Sequence, residues 1–256
     1  MPKKRKATGG KNSGSSEGSS STTTSTTKAS FASFPASLVA VDKKKSSHQP
    51  QHFQLNELVP GTVWVIPDFL TAKECQRWID FVEQSHGLEY MNSPGTKYMA
   101  NRECYRMQEE GAIQISEPLY ERLLAAGILP QLEAKLDVFA HRHPPYKPVG
   151  FNPNIRLYKY TKGHAFGKHV DGSHPVDGVG QTEITILIYL SSCKGGATRF
   201  YTSSGKKSKS IAFDPEPGAM LLHVHGDACL EHEADVVLDG IKYVLRTDMV
   251  FSSTYS

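Results

Sequence analysis

The sequence has few cysteines and lacks any long apolar run. Its four cysteines are scattered, with no CxxC pair among them, so we expect reduced intracellular thiols, no disulfides and no zinc knuckle. No window approaches about 18 uninterrupted apolar residues, which excludes a membrane span. The basic start is followed by Ser, Thr and Gly instead of the apolar stretch of a signal peptide, so secretion is not expected. The cysteines are Cys75, Cys104, Cys193 and Cys229.

The chain after residue 50 also lacks an excess of basic residues. The formal net charge is +3, but residues 1–50 carry +7 and the remainder carries −4. The basic charge therefore belongs to the N-terminal region, and the rest of the chain lacks the global excess that is typical of a phosphate-binding surface. Composition thus gives no support to a nucleic-acid substrate, although it does not exclude one.

Residues 1–51 form a basic region rich in Ser, Thr and Gly, with too few large apolar side chains to offset the entropy of ordering. We therefore predict a disordered tail. Within it, residues 2–6 (PKKRK) resemble a short monopartite nuclear localisation signal, and residues 43–45 form a weaker basic cluster. The tail predicts a nuclear protein that binds an import receptor, with the cytoplasm as second choice. The alternative is that these basic residues only keep the tail solvated and have no role in import.

Helical patterns appear only in residues 52–150. A strand is predicted at 62–66, and Thr71 with Glu74 forms the capping box of a helix that follows it. Apolar residues at helical spacing predict two further helices. We expect residues 52–150 to be a support region of helices and a strand. The two further helices are predicted at 117–126 and 129–140.

Residues 151–256 have no helical periodicity and form the predicted core. Short β-rich runs are separated there by Gly, Pro, Asp and Ser, and such spacing suits a β-sandwich or jelly roll. The fold class is therefore mainly β with α, preceded by the tail. The runs are 155–160, 183–190, 198–201, 211–213, 219–223, 231–238 and 242–251.

The strongest chemical signal is an HxD motif formed by His169 and Asp171. In an extended segment residues i and i+2 point to the same face, so the imidazole and the carboxylate converge on one point. A third candidate ligand, His232, lies far along the chain in another β-rich run. Two His and one carboxylate that bind one face of an iron(II) ion leave its opposite coordination positions open. His223 and His225, which share one strand face, are alternatives to His232.

Residues 151–251 resemble the iron(II)- and 2-oxoglutarate-dependent dioxygenase superfamily in its prolyl 4-hydroxylase-like branch. Several motifs carry the resemblance in order: residues 154–160 (NIRLYKY), the HxD, residues 195–200 (GGATRF), His232 and residues 240–242 (GIK). The resemblance implies a double-stranded β-helix, or jelly roll, buttressed by the N-terminal helices. It also implies that the HxD pair and His232 are the iron ligands.

The resemblance further implies a set of residues that bind 2-oxoglutarate. Lys242, ten residues after His232, falls where the branch places the basic partner of the distal carboxylate. Arg246 lies on the same strand face and is the alternative, because a guanidinium binds a carboxylate through two parallel hydrogen bonds. Tyr160 matches a tyrosine that commonly hydrogen-bonds the same carboxylate.

The implied cofactor is Fe(II), with 2-oxoglutarate and dioxygen as cosubstrates and ascorbate as a candidate reductant. The expected reaction hydroxylates a protein side chain, of prolyl type, and releases succinate and CO2. Two alternatives stay open: oxidative demethylation or hydroxylation of nucleic acid, and a catalytically silent jelly roll used as an interaction module. Residues 101–107, with two Arg and a Tyr, are either a basic rim for nucleic acid or an exposed edge strand.

Overall fold

Antiparallel strands are the commonest element in the part of the chain that the structure describes, and three helices of that part pack against them. The computed structural model describes residues 33–40, 53–97, 99–136, 146–203 and 209–253. The strands are β1 (Asn56–Val59), β2 (Val63–Ile66), β3 (Glu89–Ser93), β4 (Arg102–Glu109), β5 (Lys147–Phe151), β6 (Ile155–Tyr160), β7 (Phe166–His169), β8 (Pro175–Val176), β9 (Gly180–Tyr189), β10 (Cys193–Gly195), β11 (Thr198–Tyr201), β12 (Ser210–Phe213), β13 (Met220–Val224), β14 (His232–Ala234), β15 (Val237–Gly240) and β16 (Lys242–Ser252). The helices are α1 (Ala72–Ser85), α2 (Ile113–Ala125) and α3 (Ile128–Glu133), with 3-10 turns at Ala36–Val39 and Gly226–Ala228.

Within the described ranges, one sheet runs in the order β1-β2-β13-β9-β16-β6-β4-β7-β14-β11-β12. β3, β5 and β8 attach to β4, β16 and β9, while β10 and β15 form a separate pair. The group β13-β9-β16-β6 forms one half of a nearly closed barrel and β7-β14-β11-β12 forms the other. The jelly roll predicted from the sequence is confirmed.

The hydrophobic core joins the predicted support region to the β-rich region. Ile186 of β9 and Leu245 of β16 are fully buried, in one cluster with Trp78 of α1 and Leu119 of α2. β16 lies between β6 and β9, and nine of its eleven residues are buried. Such a central strand has neighbours on both faces, which is why its sequence shows no polar and apolar alternation. The helices therefore cover one face of the sheet that carries the candidate site.

The capping box at the start of α1 is confirmed. The Glu74 N–H donates to the Thr71 hydroxyl at 3.3 Å, and the Thr71 N–H donates to the Glu74 carboxylate at 2.8 Å. The same carboxylate forms a buried ion pair with Arg122 of α2. The Glu74 carboxylate thus accepts the N–H of the N-cap residue of α1 and also links α1 to α2.

The bounds of the other two helices differ from the prediction. α2 begins at Ile113, four residues before the predicted start, and holds Pro118 inside it. The predicted start rested on Leu119, Leu123 and Leu124, whose helical spacing marks only the later part of this helix. α3 ends at Glu133, seven residues before the predicted end at 140. Residues 137–145 lie outside the described part of the chain.

The predicted disorder of residues 1–51 is wrong for residues 33–40. Phe34 is fully buried against Trp78 and Phe81, with ring centroids 5.5 and 6.0 Å apart. Gln114 of α2 donates to the Phe34 carbonyl at 2.9 Å, and Arg77 of α1 donates to the Ser37 carbonyl at 2.9 Å. A few apolar residues anchor this segment, and their effect was hidden in the average composition of the tail. The basic clusters at 2–6 and 43–45 lie outside the described residues.

Residues 101–107 do not form an exposed edge strand. They belong mostly to β4, one edge of which pairs with β3 while the other edge pairs with two distant partners, β6 and β7. Strand β4 therefore links the two halves of the barrel. Because both partners follow β4 by some 50 residues or more, local sequence pattern could not reveal this pairing. In the described residues no helix has the length and hydropathy needed to cross a membrane.

Candidate active site

Three candidate ligands meet where β7 and β14 pair. His169 ends β7 and faces His232, which begins β14, as a directly paired residue. Asp171 follows β7 by two residues, and its side chain turns to the same point as that of His169. The Asp171 oxygens lie 3.8 Å from His169 Nε2 and 3.9 Å from His232 Nε2. The structure thus brings together the three residues that the sequence singled out.

The two imidazoles are oriented by the backbone. His169 Nδ1 lies 2.8 Å from the Gly167 carbonyl, and His232 Nδ1 lies 2.9 Å from the Leu230 carbonyl. Each Nδ1 carries the proton that it donates to the carbonyl, which leaves the lone pair on Nε2. Both Nε2 atoms point toward Asp171. A backbone carbonyl that fixes the tautomer in this way is the usual support of a metal-binding His.

The protonation states of these residues also suit a metal. Burial lowers the pKa of His169 to about 4 and lowers the pKa of His232, so both rings are neutral near pH 7. Burial, the largest single influence, would raise the pKa of Asp171, but the Arg246 guanidinium and the three neighbouring imidazoles together outweigh it and hold that pKa well below its usual value. Metal ligands must be neutral imidazoles and ionised carboxylates, and this set provides them.

The donor set fits Fe(II) better than a second combination in the same region. His223, Cys229 and His232 also place ligand atoms within 4.8 Å of one another. Burial raises the pKa of the Cys229 thiol to about 12, and its sulfur accepts the Asp171 N–H at 3.3 Å, so a metal-binding thiolate is disfavoured there. The set with Asp171 has the two-His, one-carboxylate composition of a facial iron site.

The two alternative histidines lie nearby in different settings. His225 Nε2 is 2.7 Å from the Thr185 hydroxyl, and its Nδ1 is 3.2 Å from the Thr182 carbonyl, so both nitrogens have protein partners. His223 is fully buried, 3.6 Å from the Asp171 carboxylate, and neither ring nitrogen has a hydrogen-bond partner among the described residues. His225 is thus held as a supporting residue, while His223 faces the candidate cavity.

Lys242 lies in the same cavity as the three candidate ligands. Its ammonium is buried and donates to the Gly196 carbonyl at 2.7 Å, and it lies 5.5 Å from the centre of the Tyr160 ring. Gly196 has φ +69°, a left-handed conformation that favours glycine, and a Cβ there would lie only 2.9 Å from the Cys193 sulfur. Burial lowers the pKa of Lys242 to about 8, and no ion pair joins it to a described carboxylate. A buried cation of this kind suits a ligand carboxylate.

Arg246, by contrast, already has protein partners. Its guanidinium donates to Asp171 at 2.9 Å and lies 3.6 Å from Asp248. Thr185 donates to the same Asp171 oxygen at 2.7 Å. Arg246 therefore fixes a candidate metal ligand, a role that its position in the sequence did not indicate. Thr185 was missed because a threonine inside an apolar strand gives no distinctive signal.

Phe166, which was not predicted, and Arg102, which belongs to the candidate rim segment 101–107, also line the cavity. Phe166 stacks on His169 with ring centroids 3.8 Å apart, and Arg102 places its guanidinium carbon 3.5 Å from the centre of the Phe166 ring. Thr198, which had been interpreted only as a strand residue, also lines the cavity. Phe166 lies three residues before the HxD and was within reach of sequence reasoning, whereas Arg102 comes from a distant strand.

Comparison with known proteins agrees with this site. The family model described as the 2OG-Fe(II) oxygenase superfamily matches residues 155–247. No curated protein sequence matches the chain significantly. Solved structures share the fold at low identity. A non-heme alpha ketoglutarate dependent carbocyclase from nogalamycin biosynthesis has 12% identity and a TM-score of 0.50, over 74% of this chain and 80% of that one.

Two prolyl hydroxylases show a similar degree of likeness. The viral collagen prolyl hydroxylase of Paramecium Bursaria Chlorella virus-1, in its 2OG complex, has 17% identity and a TM-score of 0.47, over 73% of this chain and 95% of that one. A prolyl hydroxylase from Trichoplax adhaerens, in complex with a hypoxia inducible factor oxygen degradation domain peptide fragment, has 17% identity and a TM-score of 0.47, over 74% and 84%. The resemblance found in the sequence is confirmed by the family match, which covers residues 155–247 and supports a 2OG-Fe(II) oxygenase and hence an oxidoreductase enzyme.

Proposed function

We propose that this protein is an Fe(II)- and 2-oxoglutarate-dependent dioxygenase that hydroxylates a protein side chain, of prolyl type, and releases succinate and CO2. One observation carries the proposal. The facial set of His169, Asp171 and His232 opens onto the same cavity as Lys242, a buried cation without a carboxylate partner in the described chain. Such a cavity has a place for a metal at one point and for a carboxylate at another.

Each residue of the site has a distinct task. His169 and His232 offer Nε2, and Asp171 offers a carboxylate that Arg246 and Thr185 hold in place. When bound, Fe(II) supplies the activation of dioxygen that couples decarboxylation of 2-oxoglutarate to oxidation of a substrate C–H bond. Lys242 receives the distal carboxylate of 2-oxoglutarate and thereby fixes its orientation.

The other residues of the cavity wall exclude water and thereby strengthen the binding of a carboxylate by the Lys242 ammonium. Tyr160 is buried beside Lys242, and the β register pairs these two residues directly. Phe166, Leu187 and Val244 add apolar surface to the cavity wall. A dry wall strengthens the attraction between Lys242 and a carboxylate, because the local dielectric constant is lower than that of water.

Mixed charge around the cavity supports a protein substrate over nucleic acid. Glu233 and Arg102 both line the cavity, and Glu231, which precedes His232, pairs with Lys168 at 3.7 Å. Glu103 adjoins Arg102 in sequence. A nucleic-acid groove is expected to be basic throughout, since each phosphate needs a nearby cation.

Turnover by the full-length protein tests this proposal. Purified protein with Fe(II), 2-oxoglutarate and ascorbate is expected to release succinate slowly by itself and faster with proline-containing peptides, which should gain 16 Da. Ascorbate is included as the proposed reductant for turnover without substrate. Succinate release without any modified peptide would contradict the prolyl assignment. Loss of methyl groups from nucleic acid would favour the alternative substrate.

We also propose nuclear import through residues 2–6, on the sequence pattern alone. Replacing the four basic residues of this segment with Ala is expected to move a fluorescently tagged protein from nucleus to cytoplasm. Turnover in vitro is expected to stay the same, because the segment is remote in sequence from the core. Unchanged nuclear retention would contradict the proposal.

A further inference from the structure

Arg102 also lines the cavity, and the proposed reaction assigns no role to this basic side chain. It begins β4 and pairs with Phe166 of β7. Its guanidinium stacks on Phe166 at 3.5 Å, and Phe166 in turn stacks on His169 at 3.8 Å. These two contacts place the guanidinium carbon within about 7 Å of the His169 ring. Arg102 therefore lies beside the candidate metal centre and lines the same cavity.

The other two basic side chains of the cavity, Arg246 and Lys242, already have an anionic partner or a proposed one. Arg246 is paired with Asp171 and Asp248, and Lys242 is reserved for the distal carboxylate of 2-oxoglutarate. Arg102, in contrast, has ring contacts but no hydrogen bond or ion pair with any described residue. Its Nε is buried without an acceptor. An unmatched donor of this kind weakens folding, so its presence at a cavity indicates a ligand that supplies the acceptor.

We propose that Arg102 binds a carboxylate of the prime substrate, close to the carbon that is oxidised. This inference rests on the proposed function, because it takes Lys242 as the partner of 2-oxoglutarate. A carboxylate matches the planar edge of a guanidinium with two parallel hydrogen bonds, while Phe166 holds the guanidinium plane by stacking. Arg102 thus selects substrates that carry an acidic group.

The surrounding charges favour one carboxylate over a chain of phosphates. Glu103 follows Arg102 directly and is partly exposed, and Glu231 and Glu233 flank His232 in sequence. These acidic side chains would repel a polyanion that continues beyond the cavity. A single acidic group next to Arg102 inside the cavity avoids most of that repulsion.

Equilibrium binding to the full-length protein tests the assignment. The protein is first titrated with Mn(II) and then with 2-oxoglutarate in a calorimeter without oxygen. It is then titrated with capped proline-containing pentapeptides that differ only in Glu or Gln beside the proline. Parallel titrations use the same peptides with Ala in place of proline, N-acetylglutamate, and a ten-nucleotide single-stranded DNA. The variants are Arg102→Gln, Arg102→Lys and the control Arg106→Gln, two alternations further along β4, with folding checked by circular dichroism.

The wild type is expected to bind Glu peptides roughly 10- to 100-fold more tightly than Gln peptides, the range of a charge-assisted contact. Arg102→Gln should abolish this preference, Arg102→Lys should retain part of it, and Arg106→Gln should leave it unchanged. A stacking role alone would lower the affinity for both peptides equally and keep the preference. Equal affinity of the wild type for both peptides, or a preference that survives in Arg102→Gln, would overturn the inference.

The other titrations separate this inference from the proposed function. Tighter binding of DNA than of the Glu peptides would overturn the assignment to a carboxylate. A preference for Glu in the peptides without proline would support the role of Arg102 but contradict a prolyl substrate. Tight binding of N-acetylglutamate would likewise support the role of Arg102 but contradict a protein substrate. Failure of the Mn(II) or 2-oxoglutarate titration would count against the proposed function, while the peptide preference would still decide the role of Arg102.

Discussion

Replacement of Lys242 is the perturbation whose consequence follows most directly from the structure. Lys242→Met keeps an apolar stem of similar length but removes the ammonium that donates to Gly196. If Lys242 binds the distal carboxylate of 2-oxoglutarate, the variant must bury that carboxylate without a partner. Loss of one partner of a buried pair costs about 3 to 5 kcal/mol. At about 1.4 kcal/mol per factor of ten, the affinity for 2-oxoglutarate should fall by two orders of magnitude or more.

Arg246 provides the matched comparison on the same strand. It lies four residues further along β16, about 13 Å away at roughly 3.3 Å per residue, and already pairs with Asp171. Arg246→Met should therefore weaken metal binding more than cosubstrate binding. The assay measures the apparent KM for 2-oxoglutarate and the iron content of both variants, after circular dichroism has shown that they fold. A large cosubstrate defect confined to Arg246→Met, with Lys242→Met near normal, would refute the assignment.

Three further predictions concern pH, the metal ligands and the N-terminal anchor. Because burial lowers the pKa of Lys242 to about 8, the ammonium is lost above that pH, and calorimetry should show about tenfold weaker binding of 2-oxoglutarate at pH 9 than at pH 7; a flat profile would argue against Lys242. His169→Ala and His232→Ala should abolish succinate release, whereas His225→Ala should retain most of it; equal severity at 225 and 232 would contradict the choice of ligand. Phe34→Ala should lower the free energy of unfolding in urea by about 3 to 5 kcal/mol, and a change below about 1 kcal/mol would show that residues 33–40 do not belong to the core.

Local chemistry explains what the sequence could predict of the fold. The strands at 155–160 and 198–201 match the predicted runs residue for residue, because Pro153 and Gly163 bound the first and Gly196 and Ser203 bound the second. The capping box of Thr71 and Glu74 is also local and was identified correctly. The anchor at 33–40 was missed, because its stability comes from contacts with helices that lie 40 to 80 residues further along the chain.

The candidate site shows the same division between local and distant information. His169 and Asp171 are neighbours in sequence, so an extended backbone was enough to place them together. Lys242 was placed by its register with the distal His. The pairing of Arg246 with Asp171 joins residues 75 positions apart, and it depends on the register between strands, which periodicity does not encode. Arg102 enters the cavity only because β4 pairs along one edge with both β6 and β7.

The most direct test of the central claim is a coupled titration of the full-length protein with Fe(II) and 2-oxoglutarate. Iron bound and succinate formed are measured on the same sample, with Asp171→Ala as the control. We expect one iron per chain, succinate and CO2 in equal amounts, and neither iron binding nor succinate formation in the Asp171→Ala sample. Wild-type protein that binds no iron, or that binds one iron and leaves 2-oxoglutarate unconsumed in the presence of oxygen, would contradict the account.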